Sequence, residues 1–261
     1  MTDTEKNGVL PGGLALPGPS VIGATGGSGT RVVARIARTS GVYTGEKLNP
    51  YEDAVELGFY SDRWIDRYVR STGDLSDEER AEMKADLRSV LADHLVAVPG
   101  SAVSWGWKEP RSIYLLRFWN ETIPSLRFLH FLRDGRDMAF SQNQNQLNWH
   151  GPAVLGDELE KAKTPTRSIA LWNRVNLAAA DYGEHHLGPC YLRVRFEDLC
   201  AEPRATVAGI FEFLGLEGDA EAAAAEVRPP ASLGRWRSRR QKVVDELTET
   251  ARPALDRFGY L

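Results

Sequence analysis

Two stretches carry residues whose types and spacing suit the capture of phosphate-like anions. Residues 21–31 read VIGATGGSGTR: a short apolar run, a turn holding Gly23, Gly26, Gly27 and Gly29, then a segment with helical spacing. A glycine turn between a strand and a helix leaves main-chain N–H groups pointing outward and lets a phosphate approach where a Cβ would block it. The positive end of the helix dipole adds to this. Ser28, Thr30 and Arg31 bring side-chain donors to the same place. A tight strand–helix turn with no ligand would use the same glycines, so the loop alone specifies little. The ATP/GTP loop pattern GxxxxGK[ST] is not met. With Gly29 as its second glycine, Ala24 stands at the first and Thr30 at the lysine. Without that lysine, and with no clear acidic magnesium ligand on a nearby strand, nucleotide hydrolysis is disfavoured.

The second stretch is RFLHFLRDGRDMAFSQNQ, in which an apolar strand ends at Arg133 and Ser141 follows eight residues on. One group stands at a strand tip and the other a few turns into the next helix, so both can converge on one anion. The planar guanidinium fork suits a phosphate and the hydroxyl adds a short bond. Against this, Arg133, Asp134, Arg136 and Asp137 can simply pair among themselves on a surface.

Those residues need a scaffold. Strand-like apolar runs lie at residues 20–22, 104–107, 126–132 and 190–196, and helical spacing at 30–38, 62–70, 76–96, 134–145, 166–184, 204–214 and 239–257. The 76–96 segment opens with Ser76 and three acids, a serine N-cap with a favourable first turn. Strands alternating with helices predict an α/β fold with parallel βαβ units. Ligands of such sheets bind beyond the carboxyl ends of the strands. Residues 44–61 and 146–165 read as long loops, of the kind that carries function. There is no repeat and no linker, so residues 20–261 form one domain behind a flexible leader, residues 1–19.

Composition narrows the classes. The 261 residues are 42% hydrophobic and 26% charged, enough for a sizeable core. No apolar run approaches the ~18 residues of a membrane span. The start carries acids and three prolines and lacks the cationic, continuous apolar pattern of a signal peptide. Two cysteines, Cys190 and Cys200, flank a strand-like stretch too long to let them meet easily, which fits a reduced, cytoplasmic protein. His185 and His186 stand alone, so no metal is expected. The net charge of −4 argues against general nucleic-acid binding. Six basic residues and no acid between 227 and 244 fit either a local anion site or a solvated helix face.

Taken together these motifs resemble the sulfotransferases that use 3′-phosphoadenosine 5′-phosphosulfate (PAPS). GSGTR (Gly27–Arg31) resembles the family's loop for the 5′-phosphosulfate, and RDGRDMAFS (Arg133–Ser141) its arginine–serine pair for the 3′-phosphate. WKEPRS (107–112), VRFEDLCAEPRATVAGIFEFLGL (194–216, with Phe196 in place of tyrosine) and GRWR (234–237) follow in register. The resemblance implies a P-loop-like domain with a central, mainly parallel sheet flanked by helices. It also implies in-line transfer of a sulfuryl group to a hydroxyl acceptor, a small molecule or carbohydrate, without a metal. Atypical kinase or hydrolase and non-catalytic nucleotide scaffold are the rival readings.

Residue by residue, the resemblance places Gly26, Gly27, Ser28, Gly29, Thr30 and Arg31 at the 5′ end, Arg133 and Ser141 at the 3′-phosphate, and Lys108 at the leaving oxygen; Arg235, Arg237, Arg239 and Arg240 either close over the 3′-phosphate, with Arg237 favoured, or solubilise a helix. The general base is expected at Glu46 in YTGEKLNP, with Glu52, Asp53 and Glu109 as competitors. This matches the carbohydrate and tyrosyl branches, because the histidine that aryl members carry shortly after the lysine is missing. Gly27 departs from the family, many of whose members carry lysine or arginine there, and Arg31 or Lys108 is expected to supply the cation. Trp236, Phe140 and Trp172 are candidates for stacking on adenine or for plain packing. Glu197 and Asp198 are expected to tie strand to helix, and His150 beside Trp149 either lines the acceptor pocket or sits on an exposed loop. The acceptor and the oligomeric state are not readable.

Overall fold

The computed structural model describes residues 16–157 and 159–261. Most of the leader expected over 1–19 thus lies outside the described residues. Of the remainder, Leu16 packs on the core, and the carbonyl groups of Pro17 and Pro19 accept hydrogen bonds from Trp105 N (3.1 Å) and Arg127 N (2.9 Å).

Five strands, β1 (Ser20–Ala24), β2 (Val42–Tyr43), β3 (Ser104–Lys108), β4 (Arg127–Leu132) and β5 (Tyr191–Arg195), form one parallel sheet in the order β2-β3-β1-β4-β5. Four are the expected apolar runs with slightly shifted ends. β2 is an edge strand of two residues, too short to leave a pattern in sequence.

Successive Cβ atoms point to opposite faces of a strand, so each strand feeds two cores. Val21, Trp105, Trp107 and Phe128 pack on one side against α2 (Val55–Arg70), α3 (Asp77–Leu95), α4 (Leu116–Thr122) and α7 (Thr164–Tyr182). Ile22, Ala24, Leu129, Phe131 and Val194 pack on the other against α1 (Thr30–Thr39) and α9 (Pro203–Leu214). At the β5 edge, Leu132 joins a third cluster with α5 (Gly135–Ala139), α11 (Gln241–Thr250) and α12 (Arg252–Arg257). The Ser76 cap forms as expected. Its hydroxyl accepts from Glu79 N (3.2 Å), and the Glu79 carboxylate accepts from Ser76 N (3.0 Å).

Four sequence expectations change. The long loop at 44–61 holds the first turns of α2, which starts at Val55 because Leu57, Tyr60, Ser61, Trp64, Ile65 and Tyr68 form one buried face. The loop at 146–165 is largely a helix, α6 (Asn145–Leu155). Its polar start and internal Pro152 read as a breaker, but burial of Gln146, Leu147, His150 and Leu155 overrides the weak local propensity. The helix expected over 134–145 stops at Ala139, since the Gln144 amide donates to the Met138 (3.2 Å) and Ser141 (2.8 Å) carbonyls and competes with helix continuation. The terminal helix divides into α11 and α12 ahead of Pro253, which has no N–H to offer Glu249.

Because the sheet is parallel, the glycine turn after β1, Lys108 at the end of β3, Arg133 after β4 and Phe196 after β5 all emerge on one edge.

Candidate active site

The glycine turn packs tightly against its neighbours. Gly27 and Gly29 have φ of 83° and 89°, a region that side chains with Cβ disfavour. Ser28 is buried, its hydroxyl donating to the Thr25 carbonyl at 2.6 Å. Gly29 leads into α1, whose first turn has no acid and carries the exposed Arg31, so the helix end stays electropositive. A Cβ on Gly27 would stand 3.3 Å from the Ser141 hydroxyl, and one on Gly29 would stand 3.0 Å from the Phe196 ring.

The Arg133–Ser141 pair therefore faces the glycine turn. Arg133 is buried, with its guanidinium 5.3 Å from the centre of the same Phe196 ring. Its Nη2 donates to Asp137 (2.9 Å) and to the Ser232 carbonyl (2.5 Å), while its Nε is buried with no partner. An orphaned guanidinium N–H beside a glycine cradle is what a phosphate site offers before the phosphate arrives, and the donor set fits PAPS at both ends. The four-residue charge cluster does pair internally, Arg133 with Asp137 and Arg136 with Asp134, but it does so in the interior. Arg136 is structural: it reaches the Tyr260 carbonyl (2.7 Å) and lies 3.9 Å from the Trp236 ring.

A cleft of about 1660 Å³ runs across this edge. Single ligands occupy roughly 300–1,000 Å³, so this one has room for a nucleotide and an acceptor together. Its wall includes Gly26, Gly27, Gly29, Thr30, Val32, Phe196, Arg228 and Pro230, and also Tyr51, Asp53, Phe59, Lys108, Glu109, Arg111 and Trp149. Of the described large apolar side chains that remain exposed, Tyr51, Phe59 and Trp149 all stand on this wall.

Lys108 is buried at the tip of β3, opposite Ile22 of β1. Its ammonium donates to the Tyr51 carbonyl (2.9 Å) and is ion-paired with the Asp53 carboxylate. The second oxygen of Asp53 accepts from the Asn49 amide at 2.9 Å. Glu46 lies elsewhere, exposed and off the cleft wall. Glu52, held at φ 65°, is ion-paired with Arg35 and Arg38 of α1. Glu109 is buried, accepting from Arg111 Nε (2.8 Å) and the Ser61 hydroxyl (3.3 Å). Burial pushes its carboxyl above the usual range against the pull of the Arg111 guanidinium. Of the four carboxylates, Asp53 is the one joined to Lys108.

Arg31 reaches the cleft 5.4 Å from the Tyr51 ring. Arg237 is exposed over Trp236, whereas Arg235 donates to the Ser232 (3.1 Å) and Phe140 (3.2 Å) carbonyls beside Arg133 and Ser141. Burial, and next the Arg133 charge, hold the Arg235 guanidinium below its ordinary value. None of the three aromatics considered for adenine lines the cleft. Trp172 packs on Phe258 and Tyr260, Trp236 on Arg136, and Phe140 under Arg239. Phe196 lines it instead, and the sheet-edge rule, applied to the residue after β5, would have found it. Tyr51 and Phe59 carry no signal in the sequence, because their segment reads as loop. His150 is neither on the wall nor exposed: it is buried, its Nδ1 against Asp66 (2.7 Å), with its ring on Tyr114 (5.3 Å). Glu197 links the strand ends, accepting from Asp134 N (3.0 Å) and the Tyr260 hydroxyl (2.9 Å). Among the described residues, no three metal-ligating side chains gather at one point, and no helix is long and apolar enough to cross a membrane.

The fold is that of solved bacterial sulfotransferases. The chain superposes on a sulfotransferase of Mycobacterium avium with a TM-score of 0.56 at 13% identity, covering 92% of this chain and 76% of that one. For a sulfotransferase of Alicyclobacillus acidocaldarius the values are 0.54, 15%, 94% and 94%. For the sulfotransferase domain of the Synechococcus PCC 7002 olefin synthase they are 0.51, 16%, 90% and 95%. No curated protein matches the sequence significantly. The sequence itself matches the sulfotransferase family over residues 28–220, a span that contains Ser28 of the glycine turn, Lys108, Arg133, Ser141 and Phe196. The chain belongs to the sulfotransferase family, and its activity is PAPS-dependent sulfuryl transfer.

Proposed function

We propose that the reacting centre comprises residues 26–31, Lys108 and Asp53, and that it transfers the sulfuryl group of PAPS to a hydroxyl held between Phe59 and Trp149. The observation that carries this reading is the meeting of the Ser141 hydroxyl with Gly27 while the Arg133 Nε stays unpaired. Two anion cradles on one sheet edge suit a nucleotide charged at both its 5′ and 3′ positions.

When bound, PAPS supplies an activated sulfuryl group: a bond from the acceptor oxygen to sulfur forms as the bond from sulfur to the 5′-phosphate oxygen breaks. Main-chain N–H groups of the glycine turn hold that phosphate. The Lys108 ammonium offsets the negative charge growing on the departing oxygen, and Arg31 adds positive potential from the rim. Asp53 takes the acceptor proton. Its place beside Lys108 favours it over Glu46, and Asn49 keeps its carboxylate from rotating. Phe196 lines the cleft with Val32 and Pro230 and supplies an apolar wall for the adenine. Arg235 takes the place assigned in sequence to Arg237, since it is the one packed beside Arg133.

Tyr51, Phe59 and Trp149 furnish flat apolar walls for the acceptor, whether a small molecule or a sugar ring. The unpaired cysteines Cys190 and Cys200 support a reducing, cytoplasmic setting. A kinase or hydrolase reading lacks the loop lysine, and a scaffold would have no use for a buried lysine paired with a carboxylate in the cleft. Calorimetry with adenosine 3′,5′-bisphosphate (PAP), ADP and ATP tests the proposal. A strong preference for PAP is expected, and equal or tighter ATP binding would end it. Mass spectrometry of candidate acceptors incubated with PAPS then reads the gain of one sulfonate group.

A further inference from the structure

One buried carboxylate sits at the junction of everything that surrounds the 3′ end of the nucleotide site. Asp137, in α5, is 1% exposed, and three donors converge on it, one from the neighbouring Arg133 and two from a single segment far along the chain. Its Oδ2 accepts from Arg133 Nη2 (2.9 Å) and from Gly234 N (2.7 Å), and its Oδ1 accepts from Trp236 N (3.2 Å). Gly234 holds φ at 73° so that its N–H and that of Trp236 can both turn inward. The basic segment is also tied to Arg133 through Ser232, whose carbonyl accepts from Arg133 Nη2 (2.5 Å) and, within the segment, from Arg235 Nε (3.1 Å).

We infer that Asp137 is the positioning residue of the 3′-phosphate site: it turns the Arg133 guanidinium so that Nε faces the nucleotide, and it docks the 232–238 segment so that Arg235 joins Arg133. This rests on the assignment of Arg133 and Ser141 to the 3′-phosphate. The physical logic is one of spent and spare donors. Asp137 and Ser232 occupy Nη2, which leaves the buried Nε as a donor without a partner. A guanidinium free to rotate would satisfy Nε on the protein instead. Arg133 and Arg239 both repel Arg235, and the buried Asp137 charge offsets that repulsion before any phosphate arrives. Asp137 needs no contact with the nucleotide to do this.

Asp137→Asn tests it, because the amide keeps the shape but turns an N–H₂ toward one of the three donors. PAP affinity, measured by calorimetry, is expected to fall about 10- to 100-fold, as when one charged hydrogen-bonding partner is lost. Affinity for AMP, which lacks the 3′-phosphate, is expected to stay within about threefold of wild type. With PAPS and an acceptor, the donor KM should rise while kcat at saturation holds. Gly234→Ala disturbs the docked segment from its other side without touching the carboxylate, and should lower the PAP-to-AMP preference in the same direction. It serves as the readout if Asp137→Asn does not fold. Equal losses for PAP and AMP, or an unchanged preference in whichever variant folds, would overturn the role. If the wild type itself binds PAP no better than AMP, the assignment of Arg133 and Ser141 falls first, and this inference with it.

Discussion

Lys108 and Asp53, 55 residues apart in sequence, form an ion pair on the floor of the cleft. The pair unites the tip of β3 with the segment that precedes α2, and it sets a cation and a carboxylate side by side. Lys108→Ala removes the group proposed to face the leaving oxygen. Loss of one such preorganised donor costs about 10²–10³ in kcat, and PAP affinity should change far less. Asp53→Asn should cost at least about 10² in kcat, the usual worth of a general base. Glu46→Gln should stay within about twofold of wild type, as expected for an exposed side chain off the wall. Steady-state kinetics on the three variants decides the matter, and a dead Glu46→Gln beside an active Asp53→Asn would reverse the assignment.

Gly27 stands where many relatives carry a cation, and its geometry says why a cation cannot simply be restored. At φ 83°, with Ser141 and Met138 both 3.3 Å from a notional Cβ, any side chain brings backbone strain and crowds the serine. A left-handed conformation costs a residue with Cβ roughly 1–2 kcal/mol. Gly27→Ala and Gly27→Lys should therefore both weaken PAP binding, by about tenfold on that cost. Calorimetry reads it, and a Gly27→Lys that binds more tightly would show that the turn adapts.

The exposed rings of Phe59 and Trp149 flank Arg111, whose Nη2 donates to the Gly58 carbonyl (3.1 Å) and whose guanidinium lies 5.3 Å from the Trp149 ring. Phe59→Ala and Trp149→Ala should each raise the acceptor KM about tenfold, the worth of one well-packed aromatic contact, with PAP affinity untouched. An unchanged acceptor KM in both variants would place the acceptor elsewhere in the cleft.

His130, buried in β4, has one ring nitrogen against Asn176 Oδ1 (2.8 Å) and the other against the Tyr191 hydroxyl (2.5 Å). Burial lowers it to about 4 despite the Asn176 hydrogen bond, so the folded protein holds it neutral. The unfolded chain takes up a proton below about 6.5. Stability is therefore full above pH 6.5 and declines as pH falls toward 4, by up to about 3 kcal/mol from this group. Thermal unfolding of wild type and His130→Gln across pH 7 to 4 checks it: the variant should show the shallower decline in that window.

The legible parts of the site were those contained in a single strand–turn–helix unit. Arg133 and Ser141 are eight residues apart on one such unit, and the parallel sheet brings its end to the same edge as the glycine turn. The helix at 145–155 and the start of α2 were not legible, because burial rather than local propensity stabilises them. Arg235 and Arg237 share a basic run with nothing local to separate them. Only the docking of that run on Asp137 turns one toward Arg133 and leaves the other in solvent.

By itself, then, the sequence determined the α/β class, four of the strands that build the sheet and the two candidate anion-binding stretches, since strand ends, glycine turns and helix starts act over a few neighbouring residues. Tertiary structure alone decided which carboxylate stands by Lys108, which ring lines the cleft and which arginine joins Arg133. Those choices depend on segments 55 or more residues apart, and no local pattern can encode a contact that exists only once both cores have packed.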